Sequence, residues 1–244
     1  LSKTVITLTA LFSLCLDRFE IGKALIIAPL RVARDTWPAE IMKWDHLHGL
    51  TYSVAVGTET ERKAALQQRV DLHIINRENV EWLVKHFAGR KLPFDMLVID
   101  ELSSFKNSRA KRFLAMKKVI GRFSRVVGLT GTPAPNGMED LWPQVFLLDR
   151  GKRLGRTMHT YLDLFFAMPN SWQPYRRELK PGAEVDIYKR LSDICVSMRA
   201  ADHLNMPDRV DNIVELTLSP REEKLYKQME RDMLLPYADG DVLA

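Results

Sequence analysis

The stretch Phe94-Asp95-Met96-Leu97-Val98-Ile99-Asp100-Glu101 decides the fold. Its centre, Met96 to Ile99, is apolar at every position instead of alternating with polar residues, the pattern of a strand covered on both faces. Two adjacent carboxylates follow at once. Strands buried on both sides belong to parallel sheets, and in open parallel sheets the reacting groups gather beyond the strands' carboxyl ends. The pair Asp100-Glu101 is therefore placed at the mouth of a cleft.

Outward from this strand, short runs rich in branched apolar residues alternate with longer segments of helical period. Strands are predicted at 24–28, 52–56, 72–75, 96–99 and 126–129, and helices at 4–17, 32–44, 61–69, 80–87 and 108–121. This alternation is the signature of βαβ units, and it predicts an α/β, doubly wound, mostly parallel sheet with helices on both faces. Past Gly131 the pattern changes to Pro-rich turns and helices at 138–148, 157–166 and 185–194, with a further strand at 211–218. Ser219-Pro220-Arg221-Glu222 then reads as a capping box with Pro at the first helical position, so a helix is expected from there to about Leu235. The expected organisation is a nucleotide-binding lobe over 1–149, a mostly helical appendage over 150–205, and a returning strand and helix over 206–244.

Three short motifs carry chemistry. An Asp at a strand end can hold Mg²⁺, and a neighbouring Glu can orient and deprotonate a water that attacks phosphorus; taken alone, the pair is as compatible with two solvated acids. The opening Leu1-Ser2-Lys3-Thr4 matches the end of a phosphate-binding loop, in which free N–H groups at a helix N-terminus, a Lys and a hydroxyl meet phosphates and Mg²⁺. Four residues decide nothing alone; their weight comes from preceding the Asp-Glu strand in the order a nucleotide-hydrolysing fold requires. The third motif, Gly128-Leu129-Thr130-Gly131-Thr132-Pro133-Ala134-Pro135-Asn136, is a strand running into a loop of hydroxyls and turn residues, and is also compatible with a plain surface turn.

Together these pieces resemble the helicase-like ATPases of superfamily two, and most closely the Swi/Snf family. The resemblance rests on Lys3-Thr4, on Ala28-Pro29 with Trp37 to Trp44, on Ile75 to Glu78, on Asp100-Glu101 with Phe105-Lys106-Asn107, and above all on Leu129 to Asn136 followed by Glu139-Asp140-Leu141-Trp142. It continues through Met206-Pro207 and Ser219-Pro220 to Tyr226.

The resemblance implies a RecA-like first lobe of a DNA-dependent ATPase that uses ATP and Mg and moves on double-stranded DNA, completed by a second RecA-like lobe of the same protein. It implies that Ser2, Lys3 and Thr4 bind nucleotide, that Thr4 and Asp100 hold the metal, and that Glu101 activates water. Thr130, Gly131 and Thr132 would couple nucleotide state to DNA grip. DNA phosphates would be met by loops holding Pro29, Arg31, Asn76, Arg77, Lys106 and Asn107. A hydrolysis-silent binding or scaffold module, and the motor of a strand-separating helicase or restriction system, are the alternative outputs of the same fold.

The chain departs from the family pattern at three places. Ser2 replaces a glycine, Asp-Glu-Leu-Ser ends in Ser103 where a His or Gln is usual, and a single Arg199 stands where two arginines are common. None removes a phosphate or metal ligand.

Bulk composition agrees with this reading without deciding it. The 244 residues carry a net charge of +5, with 46% hydrophobic and 27% charged residues, ordinary values for a globular chain. No Asp or Glu occurs between Leu102 and Met138, while eight Lys and Arg do, so this stretch carries a positive face. Cys15 and Cys195 make neither a disulfide framework nor a zinc site, and both are expected reduced and buried. The apolar opening lacks a basic flank and a cleavage site, so no signal peptide is read, and an intracellular protein with no membrane partner is expected. Trp37 and Trp44, seven apart on the expected 32–44 helix, are read as core.

Overall fold

The computed structural model describes residues 3–134, 137–168, 177–197, 212, 215–232, 235–236 and 242–243. The chain forms two units, residues 1–197 and 198–244.

The first unit is built on a five-stranded parallel sheet of β1 (Ala24–Ala28), β2 (Tyr52–Ala55), β3 (Leu72–Asn76), β4 (Met96–Asp100) and β5 (Arg125–Leu129), in the order β2-β3-β1-β4-β5. Every residue of β1 and β3 is buried, as unbroken apolar runs require. Alternate residues feed two cores. Leu25, Ile27, Leu97 and Ile99 face one, and Ala24, Ile26, Ala28, Met96 and Val98 the other. The second core is closed by Leu8 and Leu11 of α1 (Lys3–Phe12) and by Trp37 and Ile41 of α2 (Trp37–Lys43).

The first core is closed by α3 (Glu59–Gln67), α4 (Val80–His86), α5 (Lys111–Val119) and α6 (Leu141–Asp149), through Ala65, Leu83, Phe113 and Val145 among others. Helices thus cover both faces, as the alternating pattern predicts. Each Leu or Ile taken fully from water contributes roughly 1.5–3 kcal/mol, whereas an ordinary surface substitution stays within about 0.5 kcal/mol.

Local signals explain the element boundaries. Helix α3 starts at a capping box in which Thr58 Oγ1 accepts from the Glu61 N–H at 3.3 Å and Glu61 accepts from the Thr58 N–H at 2.6 Å. The two predicted long helices at 4–17 and 32–44 are not uniform. α1 runs on into a π-helical turn at Ser13–Asp17, and α2 is entered through one at Val32–Thr36. Helix α2 stops at Lys43, so Trp44 takes an extended backbone and is 36% exposed, while Trp37 is fully buried. The expectation that both tryptophans belong to the core is corrected for Trp44: the helix ends before its face can carry that residue inward. Cys15 is buried, but Cys195 is exposed, which corrects the second thiol.

Helices α7 (Met158–Phe165) and α8 (Ala183–Leu191), with the short antiparallel pair β6 (Phe166–Ala167) and β7 (Glu178–Leu179), form the described part of the expected appendage. They do not build a core of their own. Leu154, Tyr161, Phe165, Ile187 and Leu191 join the core under α5 and α6.

In the second unit, α9 (Pro220–Asp232) begins at Ser219, whose hydroxyl and N–H both donate to Glu222, as its capping box predicts. It is followed by an antiparallel pair, β8 (Leu235–Pro236) and β9 (Val242–Leu243). The expected strand at 211–218 is not formed at its described residues, 212 and 215–218, since no ladder in the described chain pairs with them.

Candidate active site

Because all five strands run the same way, the chain leaves the sheet at one edge after Ala28, Asn76, Asp100 and Leu129. The register sets Ala28 beside Asn76 and Asp100 beside Leu129, so the loops that follow are neighbours. The start of α1 lies at the same edge: a Cβ at Gly131 would stand 3.7 Å from Lys3 Nζ. Lys3, Asp100, Glu101, Thr130 and Gly131 are thereby brought together from residues 3 to 131 of the sequence. Ser2, Pro135, Asn136 and Arg199 lie outside the described residues.

Asp100 is partly buried, and each of its oxygens accepts one hydrogen bond. The indole N–H of Trp37 reaches Oδ2 at 3.0 Å, and the Glu101 N–H reaches Oδ1 at 3.0 Å. Burial raises the Asp100 pKa above the usual carboxylate value; the two hydrogen bonds and the Lys3 charge oppose this, and the Glu101 charge adds to it. The result is a desolvated carboxylate, oriented on both oxygens and facing a cation. Each oxygen keeps a lone pair for a further partner. Thr4, at the start of α1, is half-buried; its hydroxyl and the Asp100 carboxylate are hard oxygens of the kind that could hold Mg²⁺. Among the described residues there is no cluster of three His, Cys, Asp or Glu that would make an all-protein metal cage.

Glu101 has φ 55° and ψ 60°, the left-handed region that costs a residue with a Cβ roughly 1–2 kcal/mol. Strain of this kind persists where the surroundings over-determine it, and it concentrates at functional sites. It breaks β4 sharply into a 3₁₀ turn, Leu102–Phe105, pinned by buried Leu102 and Phe105. The Glu101 carboxylate accepts from the Ser103 hydroxyl on Oε1, and Thr130 Oγ1 lies 3.5 Å from the same oxygen. Thr130 Oγ1 in turn accepts from the Thr132 N–H at 3.3 Å.

Gly128 lets this turn approach the sheet. A Cβ there would lie 2.4 Å from Leu102 Cδ2 and 3.2 Å from Leu148 Cδ2. The loop after β5 is held from below by Gln144 on α6. Its amide nitrogen donates to the Pro133 carbonyl at 2.5 Å and to the Asp140 carbonyl at 2.8 Å, and its side-chain oxygen has no partner among the described residues. Lys106 Nζ stands 3.8 Å from Asp140 Oδ2.

The residues read as DNA contacts fall on the loops of the same edge but are not alike. Arg31 and Asn107 are exposed, and Pro29, Arg77 and Lys106 are half-buried. Pro29 offers its carbonyl to the Ala33 N–H at 2.8 Å, and Asn107 accepts from the Arg109 N–H at 2.8 Å. Asn76 is 6% exposed, and its amide joins Glu78 at 2.9 Å and Asn79 at 2.5 Å. It braces its loop from inside while Arg77 reaches the surface.

Sequence reasoning missed three contributors. The sequence places Trp37 in the core without naming its acceptor, although a buried indole N–H nearly always finds one. Ser103 stands in the sequence only as a departure from the family's His or Gln, and its bond to Glu101 depends on the left-handed turn. Gln144 sits within an apolar helix, and a buried amide there is itself a signal of a fixed partner.

The family profile described as SNF2-related domain matches residues 1–242. Over its whole length the chain is 35% identical to protein p41 of Acyrthosiphon pisum secondary endosymbiont phage 1, covering 55% of that protein. It is 25% identical to the Saccharomyces cerevisiae nuclear protein STH1/NPS1 across 94% of this chain and 17% of the yeast protein. Among solved structures, the Sulfolobus solfataricus SWI2/SNF2 ATPase core in complex with dsDNA superposes with a TM-score of 0.65 at 22% identity, over 95% of this chain and 46% of that one. The chain thus spans about half the length of p41 and of the Sulfolobus core, and a smaller part of the yeast protein.

Proposed function

From its membership of the SNF2-related domain family, to which the chain belongs as a helicase-like ATPase domain, we propose that it is the first lobe of a DNA-stimulated ATP hydrolase that moves along duplex DNA. The observation that carries this reading is the meeting of Lys3, Asp100, Glu101 and Thr130 at one edge of the sheet. In it, the free N–H groups of the first turn of α1 and the Lys3 ammonium bind the phosphates of ATP. The Thr4 hydroxyl and the Asp100 carboxylate hold Mg²⁺, with Trp37 fixing the carboxylate. When bound, Mg²⁺ neutralises charge that builds on the phosphate oxygens.

Glu101 orients a water against the γ-phosphorus and takes its proton as the new P–O bond forms. The bond from the γ-phosphorus to ADP breaks in the same displacement. The Thr130–Thr132 loop touches Glu101 on one side and, through Pro133 and Gln144, is tied to Asp140, whose carboxylate stands 3.8 Å from Lys106 on the segment after β4. A change at the loops that meet DNA therefore has a short path to the carboxylate. Arg31, Arg77, Lys106 and Asn107 are the side chains that would meet duplex phosphates, while Asn76 supports its loop from inside. Such contacts read backbone charge and not base sequence. The residue roles, Mg²⁺, duplex DNA and the second lobe are all parts of this proposal, as is the division into 1–149, 150–205 and 206–244.

Phosphate release from ATP by the full-length protein, with and without duplex DNA, tests the reading. DNA is expected to stimulate release, and Glu101→Gln to abolish it while Mg·ATP binding survives. Residues 1–244 alone are expected to turn over negligibly, because motors of this kind receive a transition-state arginine from the second lobe, worth ~10³–10⁵ in rate where measured in related hydrolases. Undiminished turnover by the Gln variant would overturn the assignment of Glu101. Strand displacement assayed beside triplex displacement separates a strand-separating motor from a translocase, and absence of turnover in the full-length protein would favour a hydrolysis-silent binding module.

A further inference from the structure

We propose that Ser103 is a positioning residue for Glu101: with Thr130 it clamps one carboxylate oxygen, Oε1, and so leaves the other oxygen to meet the attacking water. This deepens the reading of Glu101 as the water-activating group and rests on it.

Both side-chain hydrogen bonds that Glu101 accepts among the described residues fall on Oε1, from Ser103 and from Thr130. The two arms differ in kind. Ser103 lies in the 3₁₀ turn directly after Glu101, where the Ser104 N–H donates to the Glu101 carbonyl at 2.9 Å and the Lys106 N–H to the Ser103 carbonyl at 3.1 Å. With Leu102 and Phe105 buried on either side, its hydroxyl is presented by a rigid frame. Thr130 sits on the loop beyond β5, and its 3.5 Å contact is long for a hydroxyl–carboxylate bond. The Thr132 N–H donates to Thr130 Oγ1, which directs the Thr130 proton away from Thr132 and toward Glu101.

The clamp therefore has a fixed arm and a movable one. A shift of the 130–132 loop shortens or releases the Thr130 arm while Ser103 keeps the carboxylate from swinging free. The left-handed backbone at Glu101 is what brings Ser103 within reach, since an extended Glu101 would carry the following residues onward along the sheet. The strain at Glu101 and the unusual residue at 103 are thus two parts of one arrangement.

The test uses the full-length protein and two readouts. In DNA-stimulated phosphate release, Ser103→Ala is expected to lower kcat roughly tenfold, the scale of one charge-assisted hydrogen bond, with KM for ATP nearly unchanged. Ser103→Thr, which keeps the hydroxyl, is expected to restore most of the loss. Ser103→Ala combined with Thr130→Val should lose less than the product of the two single losses, because both arms act on one oxygen.

In thermal denaturation without nucleotide, Ser103→Ala is expected to lower Tm when Glu101 is present and to have no effect on a Glu101→Ala background. A wild-type kcat in Ser103→Ala, an equal loss in Ser103→Thr, or a Tm effect that persists without Glu101 would overturn the clamp. If the wild-type protein releases no phosphate, the hydrolase reading fails by itself, and the Tm comparison still decides whether the clamp exists.

Discussion

The indole N–H of Trp37 donates to Oδ2 of Asp100 at 3.0 Å, joining residues sixty-three apart in sequence. A buried tryptophan at the start of α2 and a strand-end carboxylate on β4 are thereby one unit. Trp37→Phe keeps most of the apolar volume and removes the donor. It is expected to cost roughly 1.5–3 kcal/mol of unfolding free energy, the range for hydrogen bonds to charged groups, and to reduce the Tm increase expected from Mg·ATP under the proposed function. Ile41→Val, in the same core, is expected to cost about 0.5–1.5 kcal/mol with the nucleotide-dependent increase intact. Chemical denaturation and melting with and without Mg·ATP check both.

His73, on β3 inside the sheet, is 1% exposed, and its ring nitrogens make no well-formed hydrogen bond among the described residues, the carbonyls of Ala65 and Gln68 being its nearest acceptors. Burial, reinforced by Lys23, holds its pKa down to about 4, below the usual 6.5. The folded chain therefore keeps His73 neutral where the unfolded chain takes up a proton. Stability is complete above about pH 6.5 and is lost as pH falls toward 4, by roughly 3 kcal/mol in all. His73→Leu is expected to flatten this acid limb of stability against pH between 6.5 and 4. An unchanged slope would place the acid sensitivity elsewhere.

Gly128 is the point where β5, the turn after Glu101 and α6 come closest. Gly128→Ala must displace buried Leu102, whose backbone follows directly on Glu101. The expected cost is about 1–3 kcal/mol of stability, as for other overpacked cores, together with a fall in phosphate release larger than the stability loss explains. Gly131→Ala, whose added Cβ would find ordinary contact distance to Lys3, serves as the comparison for stability.

Gln144 holds two carbonyls at once, one on each side of the loop that starts after β5. Gln144→Met matches its length without its donor and removes the side-chain bond to the loop at the Pro133 carbonyl. Roughly 1–3 kcal/mol of stability is expected to be lost. If Gln144 carries the path from Lys106 to Glu101, the ratio of DNA-stimulated to basal phosphate release falls as well; an unchanged ratio would make it a structural brace only.

The amino-acid sequence by itself determined the five strands to within a residue or two at each end, their alternation with helices, the capping box at Ser219, and the placing of Asp100-Glu101 at a strand's carboxyl end. These are local matters. Unbroken apolar runs, helical periodicity and capping side chains act over a few residues, and parallel connection then carries every strand end to one edge. Only the tertiary structure decided that Trp37 orients Asp100, that Ser103 and Thr130 share one oxygen of Glu101, that Asn76 turns inward, that Trp44 turns out, and that α7 and α8 complete the core of the first unit. Those outcomes depend on which groups meet after long crossovers and on one left-handed residue. A pattern of short range carries no information on partners thirty or sixty residues away, so they become legible only when the sheet is assembled.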